Sequence, residues 1–238
     1  MFSMTKCMTK LAAVGLVTVL GISGTAVPAE ALTGAQVRYA QARLNQLGCQ
    51  SGPADGIVGS MTKAATVRFQ SANWLGQTGS LDSTTYNRLG SSTATRCDVR
   101  PIPAGSGSGR RIVIKQSQNW IWIIDGSNRV VRSGGVIDNP SVLGPGTYYT
   151  GPKCGRPARV RDNSDGGQLI LHNFVRFAPC GIGMHQIPTY RSNGAQIHPD
   201  WLLGTNYRES HGCIRVSRSM SDTIWSFTVY STKVVVIR

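Results

Sequence analysis

The chain has 238 residues, of which 40% are hydrophobic and 15% charged, so it is long enough for two small domains and its composition excludes a disordered chain. The formal net charge is +14, and the basic residues are scattered and mainly Arg. This charge favours solubility or attraction to an anionic polymer, while the lack of a basic stripe interleaved with aromatic residues argues against nucleic acid as a partner.

The N-terminus has the features of an export signal. Lys6 and Lys10 precede an apolar stretch over residues 11–27, and residues 29–31 read Ala-Glu-Ala, an A-x-A cleavage pattern. The alternative is a membrane anchor, but the stretch is diluted by small polar residues and falls short of the roughly 20 apolar residues that span a bilayer. We expect residues 1–31 to be a cleaved signal peptide. The mature protein would then be secreted to the cell wall or periplasmic space, without a stable membrane anchor.

Cysteine counting follows from this prediction. Cys7 would leave with the signal, so five cysteines remain in the mature chain. Exported proteins meet an oxidising compartment in which paired cysteines form disulfides, and an odd number leaves one thiol over. The five remaining residues are Cys49, Cys97, Cys154, Cys180 and Cys213.

Residues 33–98 predict three short helices. Thr33 and Gln36 fit a capping box at the start of the first helix, and Ser60 and Asp82 are candidate caps of the second and third. Apolar residues then recur at helical spacing. Those expected to face the core are Val37, Ala40, Leu44 and Leu47, then Met61, Ala65 and Phe69, then Thr85, Tyr86 and Leu89.

A known family has the same pattern of residues. Residues 55–59 read Asp-Gly-Ile-Val-Gly and are followed by Thr62 and by Phe69-Gln70. With this motif, residues 32–98 resemble the peptidoglycan-binding domain type 1 family, which implies binding to wall glycan or peptide. Taken singly, the motif residues are expected to build the three-helix fold. Cys49 and Cys97 bracket the domain, and a disulfide between them would staple its small core.

The composition changes after residue 98. Residues 99–109 are rich in Pro, Gly and Ser, which predicts a linker that lets two domains reorient. Strand patterns then follow over residues 110–238, beginning with a β-meander. We predict a multidomain protein with a small all-α three-helix domain and a mainly β second domain. The predicted strands lie near residues 112–114, 120–124, 129–136, 147–149, 168–172 and 233–237, with a helix over 217–226 capped by Ser217.

The strongest chemical signal is the run Ser-His-Gly-Cys-Ile-Arg over residues 210–215. A thiolate beside an imidazolium is a strong nucleophile, which makes Cys213 a candidate for covalent catalysis. Gly212 permits a sharp turn, and backbone N–H groups at such a turn stabilise an oxyanion. The alternatives for Cys213 are a buried structural cysteine or a disulfide partner.

Residues 110–238 resemble the L,D-transpeptidase (YkuD-type) family. The resemblance is carried by the run over residues 210–215, by residues 144–147 (Gly-Pro-Gly-Thr) and by residues 183–185 (Gly-Met-His). It implies mixed β-sheets with a cleft beside Cys213 and acyl transfer on the stem peptides of peptidoglycan. It implies no metal and no organic cofactor.

The resemblance also implies residue roles. Cys213 is the nucleophile and His185 its general base and thiolate partner, with the amides of Gly212 and Cys213 forming the oxyanion hole. His211 lines the site, and Ser210 and Arg215 bind substrate, Arg215 through a carboxylate.

The choice of base leaves an alternative open. His185 lies 28 residues before Cys213, further than in many members of the family, and residues 190–201 are expected to form an inserted lid or hairpin. His198, within that insertion, is the alternative base, and we expect His172 to be structural. The four histidines fall 13 residues apart, but no metal-binding motif accompanies them, so we interpret the spacing as coincidence.

The expected activity is the formation of 3→3 cross-links through a cysteine acyl-enzyme, with release of D-alanine. The expected partners are peptidoglycan stem peptides and glycan. Three alternatives remain. They are a cell-wall cysteine hydrolase (an L,D-carboxypeptidase or endopeptidase), a non-catalytic wall-binding protein and a zinc hydrolase.

Overall fold

The computed structural model describes residues 32–229 and 231–238, except for the side chain of Cys180. The predicted signal peptide lies outside these residues. The described chain belongs to one compact unit. No helix in this part of the chain is both long and apolar enough to cross a bilayer.

Three helices form the N-terminal part, as predicted: α1 (Gly34–Gln46), α2 (Ser60–Ala72) and α3 (Ser83–Gly90). Thr33 and Gln36 form the predicted capping box, and Asp82 caps α3. The second cap was predicted wrongly: Gly59 is the N-cap, and no side chain caps α2. Met61 is also exposed rather than buried, because it lies in the first turn of α2, over Gly52 at the edge of the core.

The Cys49–Cys97 disulfide forms as predicted and closes the helical part. Two buried glutamines, Gln41 and Gln70, tie its loops to its helices. Each donates its amide N–H groups to three oxygens and accepts one backbone N–H. Gln41 contacts Asp55, Gly56, Ile57 and Thr62, and Gln70 contacts Thr78, Gly79, Ser80 and Thr85. These motif residues therefore hold the fold together, as expected.

Ten strands follow in two sheets. The first sheet has the order β3-β2-β1-β10-β4 and the second β5-β6-β7-β9, with β8 paired to β6. The predicted meander is β1-β2-β3, and parallel pairing with β10 closes it. The strands are β1 (Arg111–Lys115), β2 (Trp120–Ile124), β3 (Val130–Gly135), β4 (Gly146–Tyr149), β5 (Arg159–Ser164), β6 (Leu169–Arg176), β7 (Gly183–Gln186), β8 (Thr189–Tyr190), β9 (Ile214–Val216) and β10 (Lys233–Ile237).

The main core lies between the two sheets and α4 (Arg218–Phe227), which Ser217 caps as predicted. Met184 of β7 and Ile214 of β9 both point into this core. Because side chains alternate along a strand, the neighbours of Met184 and Ile214 point to the opposite face of the second sheet. That face carries the candidate site.

The helical part packs against the sheets through two buried arginines. Arg68 donates to the Cys49 carbonyl at 2.9 Å on the helical side and to the Leu203 carbonyl at 3.2 Å on the sheet side. Arg100, in the predicted linker, is 4% exposed, and its guanidinium lies 3.8 Å above the Trp120 ring. These buried polar contacts join the helical part, the predicted linker and the sheets, and the reorientation of the two domains stays a prediction.

Candidate active site

The turn before β9 depends on Gly212. Its φ is +117°, and a Cβ there would lie 2.7 Å from Cγ1 of Val142, so a larger residue meets both strain and a clash. The buried Ser210 holds the turn: its N–H donates to the Asp138 carbonyl and its Oγ accepts the Gly212 N–H at 2.9 Å. The Gly212 N–H is thus engaged by Ser210. The roles of the Gly212 and Cys213 amides as oxyanion donors stay predictions.

Cys213 is a free thiol at the end of this turn. Its Sγ donates to the Gly181 carbonyl at 3.6 Å. Burial raises the pKa of Cys213, and the Gly183 backbone N–H and the cations of Arg215 and Arg176 lower it by less. The thiol is therefore protonated at neutral pH.

Strand pairing brings His185 to the same face. β7 and β9 are parallel, with His185 directly opposite Arg215. Gly183 precedes His185 by two residues, and Cys213 precedes Arg215 by two. With the two-residue alternation of a strand, all four face the same side of the sheet. Cys213 and His185 therefore lie on one face of the sheet, and their pairing as nucleophile and base stays a prediction.

His185 is held as a neutral imidazole. It is 2% exposed, and its Nδ1–H donates to the Gln186 carbonyl at 2.6 Å. Burial lowers the pKa of His185 to about 4. The lone pair on Nε2 is then available to accept a proton. Burial disfavours the charged form of both groups, so it favours a neutral thiol and a neutral imidazole over the thiolate–imidazolium pair expected from the sequence.

Phe174 of β6 fixes the imidazole from one side. The two rings are stacked, with centroids 5.8 Å apart and planes 13° apart. The ring fits because its neighbour is Gly183: a Cβ at that position would lie 2.5 Å from Cζ of Phe174. Phe174 was not predicted from the sequence as a residue of the site.

Residues 109–236, more than half of the chain, match the family of L,D-transpeptidase catalytic domains. The chain belongs to this family. Residues 33–89 match the peptidoglycan binding domain family. Both resemblances seen in the sequence are thereby confirmed, and so is the predicted fold class. Family membership supports a transpeptidase-type function on the cell wall.

No curated protein matches the chain. Among solved structures, an L,D-transpeptidase from Xylanimonas cellulosilytica is 23% identical, with a TM-score of 0.48 over 86% of this chain and 94% of that one. An L,D-transpeptidase from Stackebrandtia nassauensis is 17% identical (TM-score 0.43; 87% and 92%). A fused Zn-dependent amidase/peptidase/peptidoglycan-binding domain-containing protein from Clostridium acetobutylicum is 18% identical (TM-score 0.40; 86% and 96%). Similarities this distant carry no argument about the chemistry of this chain.

Arg176 adds a buried cation to the transpeptidase domain. It pairs with Gly183 across β6 and β7, so it flanks Cys213 on the same face. Arg176 is 2% exposed, its Nε donates to the Pro157 carbonyl, and its Nη1 is sealed without a described partner. Its guanidinium lies 4.9 Å from the Phe174 ring. Arg176 was not predicted from the sequence, although an Arg within the apolar run of residues 174–178 is a recognisable signal.

The other predicted residues of the family motif differ in exposure. Arg215 is half-buried, and its cation acts on both Cys213 and His185. This position suits a substrate carboxylate. His211 is exposed, and its role in lining the site stays a prediction. Ser210 is buried and its hydroxyl positions the backbone of the turn, and its predicted contact with substrate stays a prediction.

The remaining histidines have other surroundings. His198 donates its Nδ1–H to the Pro199 carbonyl at 3.2 Å, and its Nε2 is sealed without a described partner. A sealed Nε2 in a loop makes His198 the weaker candidate for the base. His172 uses both ring nitrogens within the fold, contacting Asp162 at 2.6 Å and Thr189 at 2.9 Å. This agrees with its expected structural role.

Cys154 is disulfide-bonded. From the sequence, Cys154 and Cys180 are the two cysteines left to pair once Cys49–Cys97 is formed and Cys213 is free, and the side chain of Cys180 lies outside the described residues. Within residues 32–229 and 231–238, no three or more His, Cys, Asp or Glu side chains converge as a metal site would require.

Proposed function

We propose that the protein is a peptidoglycan L,D-transpeptidase that forms 3→3 cross-links through an acyl-enzyme on Cys213. The observation that carries this proposal is the arrangement on one sheet face of a free, half-buried thiol, a neutral histidine and two cations. Every other described cysteine of this chain is in a disulfide.

In the first half-reaction, His185 Nε2 takes the thiol proton as Sγ attacks the carbonyl carbon of the third stem residue. A tetrahedral intermediate forms, and the Cys213 N–H donates to its oxyanion. The bond to the terminal residue then breaks. His185 returns the proton to the departing amine, and D-alanine leaves a thioester on Sγ.

In the second half-reaction, the side-chain amine of a neighbouring stem attacks the thioester. His185 accepts a proton from that amine and returns it to the sulfur as the C–S bond breaks. An amide between two third-position residues is formed, and the neutral pair is restored. Because His185 alternates between base and acid, its Nδ1–H···O=C contact with Gln186 matters: it keeps Nε2 as the nitrogen that exchanges the proton.

The surroundings support an anionic, wall-bound substrate. Arg176 and Arg215 act electrostatically on Cys213, and Arg208 acts on Arg215. These cations favour carboxylate-bearing peptides near the thiol. The peptidoglycan-binding part, which contacts the catalytic domain through Arg68, would keep the enzyme on its polymer. We further propose that the protein acts outside the cytoplasm, after removal of residues 1–31, and that anionic wall polymers contribute to retention.

Intact-mass analysis tests the nucleophile. A carbapenem should add one molecule per chain, mapped to the peptide that contains Cys213, and the Cys213→Ala variant should remain unmodified. A disaccharide-tetrapeptide substrate should then yield D-alanine and, with an amine acceptor, a 3→3 dimer. Release of D-alanine without dimer in the presence of acceptor would indicate a hydrolase. Binding to sacculi with neither product would indicate a wall-binding protein, and loss of activity with a chelator would indicate a zinc hydrolase.

A further inference from the structure

A polar cavity of about 490 Å³ opens beside β6, β7 and β8. It is lined by Gln186 but not by Cys213 or His185. The two sites adjoin through one residue: the Gln186 carbonyl holds the His185 imidazole at 2.6 Å, while its side chain lines the cavity. No part of the proposed mechanism uses this cavity.

The buried side chains around the cavity are almost all engaged. Asn173 donates to Asp222 at 2.7 Å and accepts from Arg161 at 2.7 Å. The Thr189 hydroxyl is hydrogen-bonded to the His172 imidazole, whose other ring nitrogen is hydrogen-bonded to Asp162. The cavity wall is therefore rigid, and these groups have their hydrogen bonds within the protein.

Gln186 is the exception. It is 9% exposed, yet its side-chain amide makes no hydrogen bond to any described residue, and its nitrogen and oxygen are not among the sealed polar atoms. Both amide atoms therefore reach the surface of the cavity and remain open to a ligand there. An amide offers both donors and an acceptor, which suits a polar ligand.

The rim of the cavity carries balanced charge. Arg161 and Arg218 supply two cations, and Asp162 and Asp222 supply two anions, all on exposed residues. A lone anion or a lone cation would meet as much repulsion as attraction there. A small group with both charges can place each beside its opposite, which is electrostatic complementarity.

We propose that this cavity binds an α-amino acid head group, with its carboxylate toward Arg218 and the Gln186 amide and its ammonium toward Asp222. Two sources share this chemistry: a free amino acid, and a diamino-acid side chain of a stem peptide that ends in an ammonium and a carboxylate. The inference does not depend on the chemistry of Cys213.

The test uses the full mature chain with Cys213→Ala, so that acylation plays no part. Alanine is titrated into the 15N-labelled protein while the Gln186 side-chain NH₂ and the His172 imidazole resonances are followed. Saturable shifts of both are expected with alanine, and at least about tenfold weaker ones with propionate or ethylamine, which lack one charge. Stem tripeptides ending in diaminopimelate or lysine side chains then distinguish the two sources.

Two variants should weaken binding at least about tenfold: Gln186→Met, which keeps the backbone carbonyl, and Arg218→Gln, whose side chain has no described hydrogen bond. Arg129→Gln, on the β2–β3 turn, is the matched control and should bind as the parent does. The proposal is overturned if neither alanine nor the tripeptides bind, if propionate binds equally well, or if both variants bind normally. None of these results would alter the carbapenem test of Cys213, so the two proposals fail separately.

Discussion

The ring of Phe174 lies parallel to the imidazole of His185, with 5.8 Å between their centroids. The stacking closes one side of the imidazole, and Gly183 leaves the room for it. The histidine is consequently both oriented and kept out of water. Its low pKa and its geometry therefore have one common origin.

Substitution Gly183→Ala should disrupt this arrangement. The added Cβ would lie 2.5 Å from the Phe174 ring, so the ring must shift and the imidazole with it. We expect the rate of Cys213 acylation by a carbapenem to fall at least about tenfold, since misplacement by about 1 Å costs up to 10²-fold. The double variant Gly183→Ala, Phe174→Leu should recover part of the rate. A double variant no faster than Gly183→Ala alone would show that the clash is not the cause.

The acylation rate should depend on pH through His185. Below its pKa the imidazolium cannot accept the thiol proton, so the rate should fall as the pH decreases through about 4 and stay level from about pH 5.5 to 7.5. Single-turnover acylation across this range measures the profile. An acid limb near pH 6.5, the ordinary value of histidine, would contradict a buried neutral base.

The lowered pKa of His185 also predicts that folding stability changes with pH. The pKa of His185 is about 4 in the folded protein and about 6.5 when unfolded, so the unfolded state binds the proton more readily. The free energy of unfolding should be highest above pH 6.5 and should decrease by about 3 kcal/mol as the pH falls toward 4. Urea unfolding at pH 7 and pH 4.5 should therefore show a larger loss in the parent than in His185→Gln. Equal losses of unfolding free energy in the two proteins would show that the imidazole is exposed to water in the folded state.

Arg176 should lower the pKa of Cys213. Its buried cation flanks the thiol, so Arg176→Gln should raise the pH midpoint of iodoacetamide alkylation, while Arg176→Lys keeps most of the effect. Arg191→Gln, on an exposed turn, is the matched control and should leave the midpoint unchanged. If Arg176→Lys and Arg176→Gln had the same midpoint, the charge of Arg176 would have no effect on the thiol and its role would be packing alone.

Arg68 should stabilise the contact between the helical part and the sheets. Arg68→Met leaves the carbonyls of Cys49, Gln50, Trp201 and Leu203 without their donor, which should cost about 3 kcal/mol of unfolding free energy. Calorimetry should show one transition for the parent and a separate, earlier one for the variant. Arg38→Met, at an exposed position, should change stability by less than about 0.5 kcal/mol. Two transitions in the parent would mean that the domains are independent.

Local sequence signals determined much of the fold. The caps at Thr33, Asp82 and Ser217 rest on short-range hydrogen bonds, and the strands at 120–124 and 233–237 have the predicted bounds because they are continuous apolar runs. Cys213 could also be identified in advance, since a Ser-His-Gly-Cys run is contiguous. The polar strand β5 and the three-residue β9 were not predicted, because their pairing comes from neighbours distant in the chain.

The electrostatic state of the site was decided by packing alone. Residue type and spacing indicate that a thiol and an imidazole meet, but only burial makes both neutral. The contributions of Phe174 and Arg176 likewise arise from cross-strand register with Gly183 and His185, which no local pattern encodes. The engagement of the Gly212 amide by Ser210 depends on the turn that both residues form. Long-range strand pairing thus converts a recognisable motif into a specific proton-transfer site.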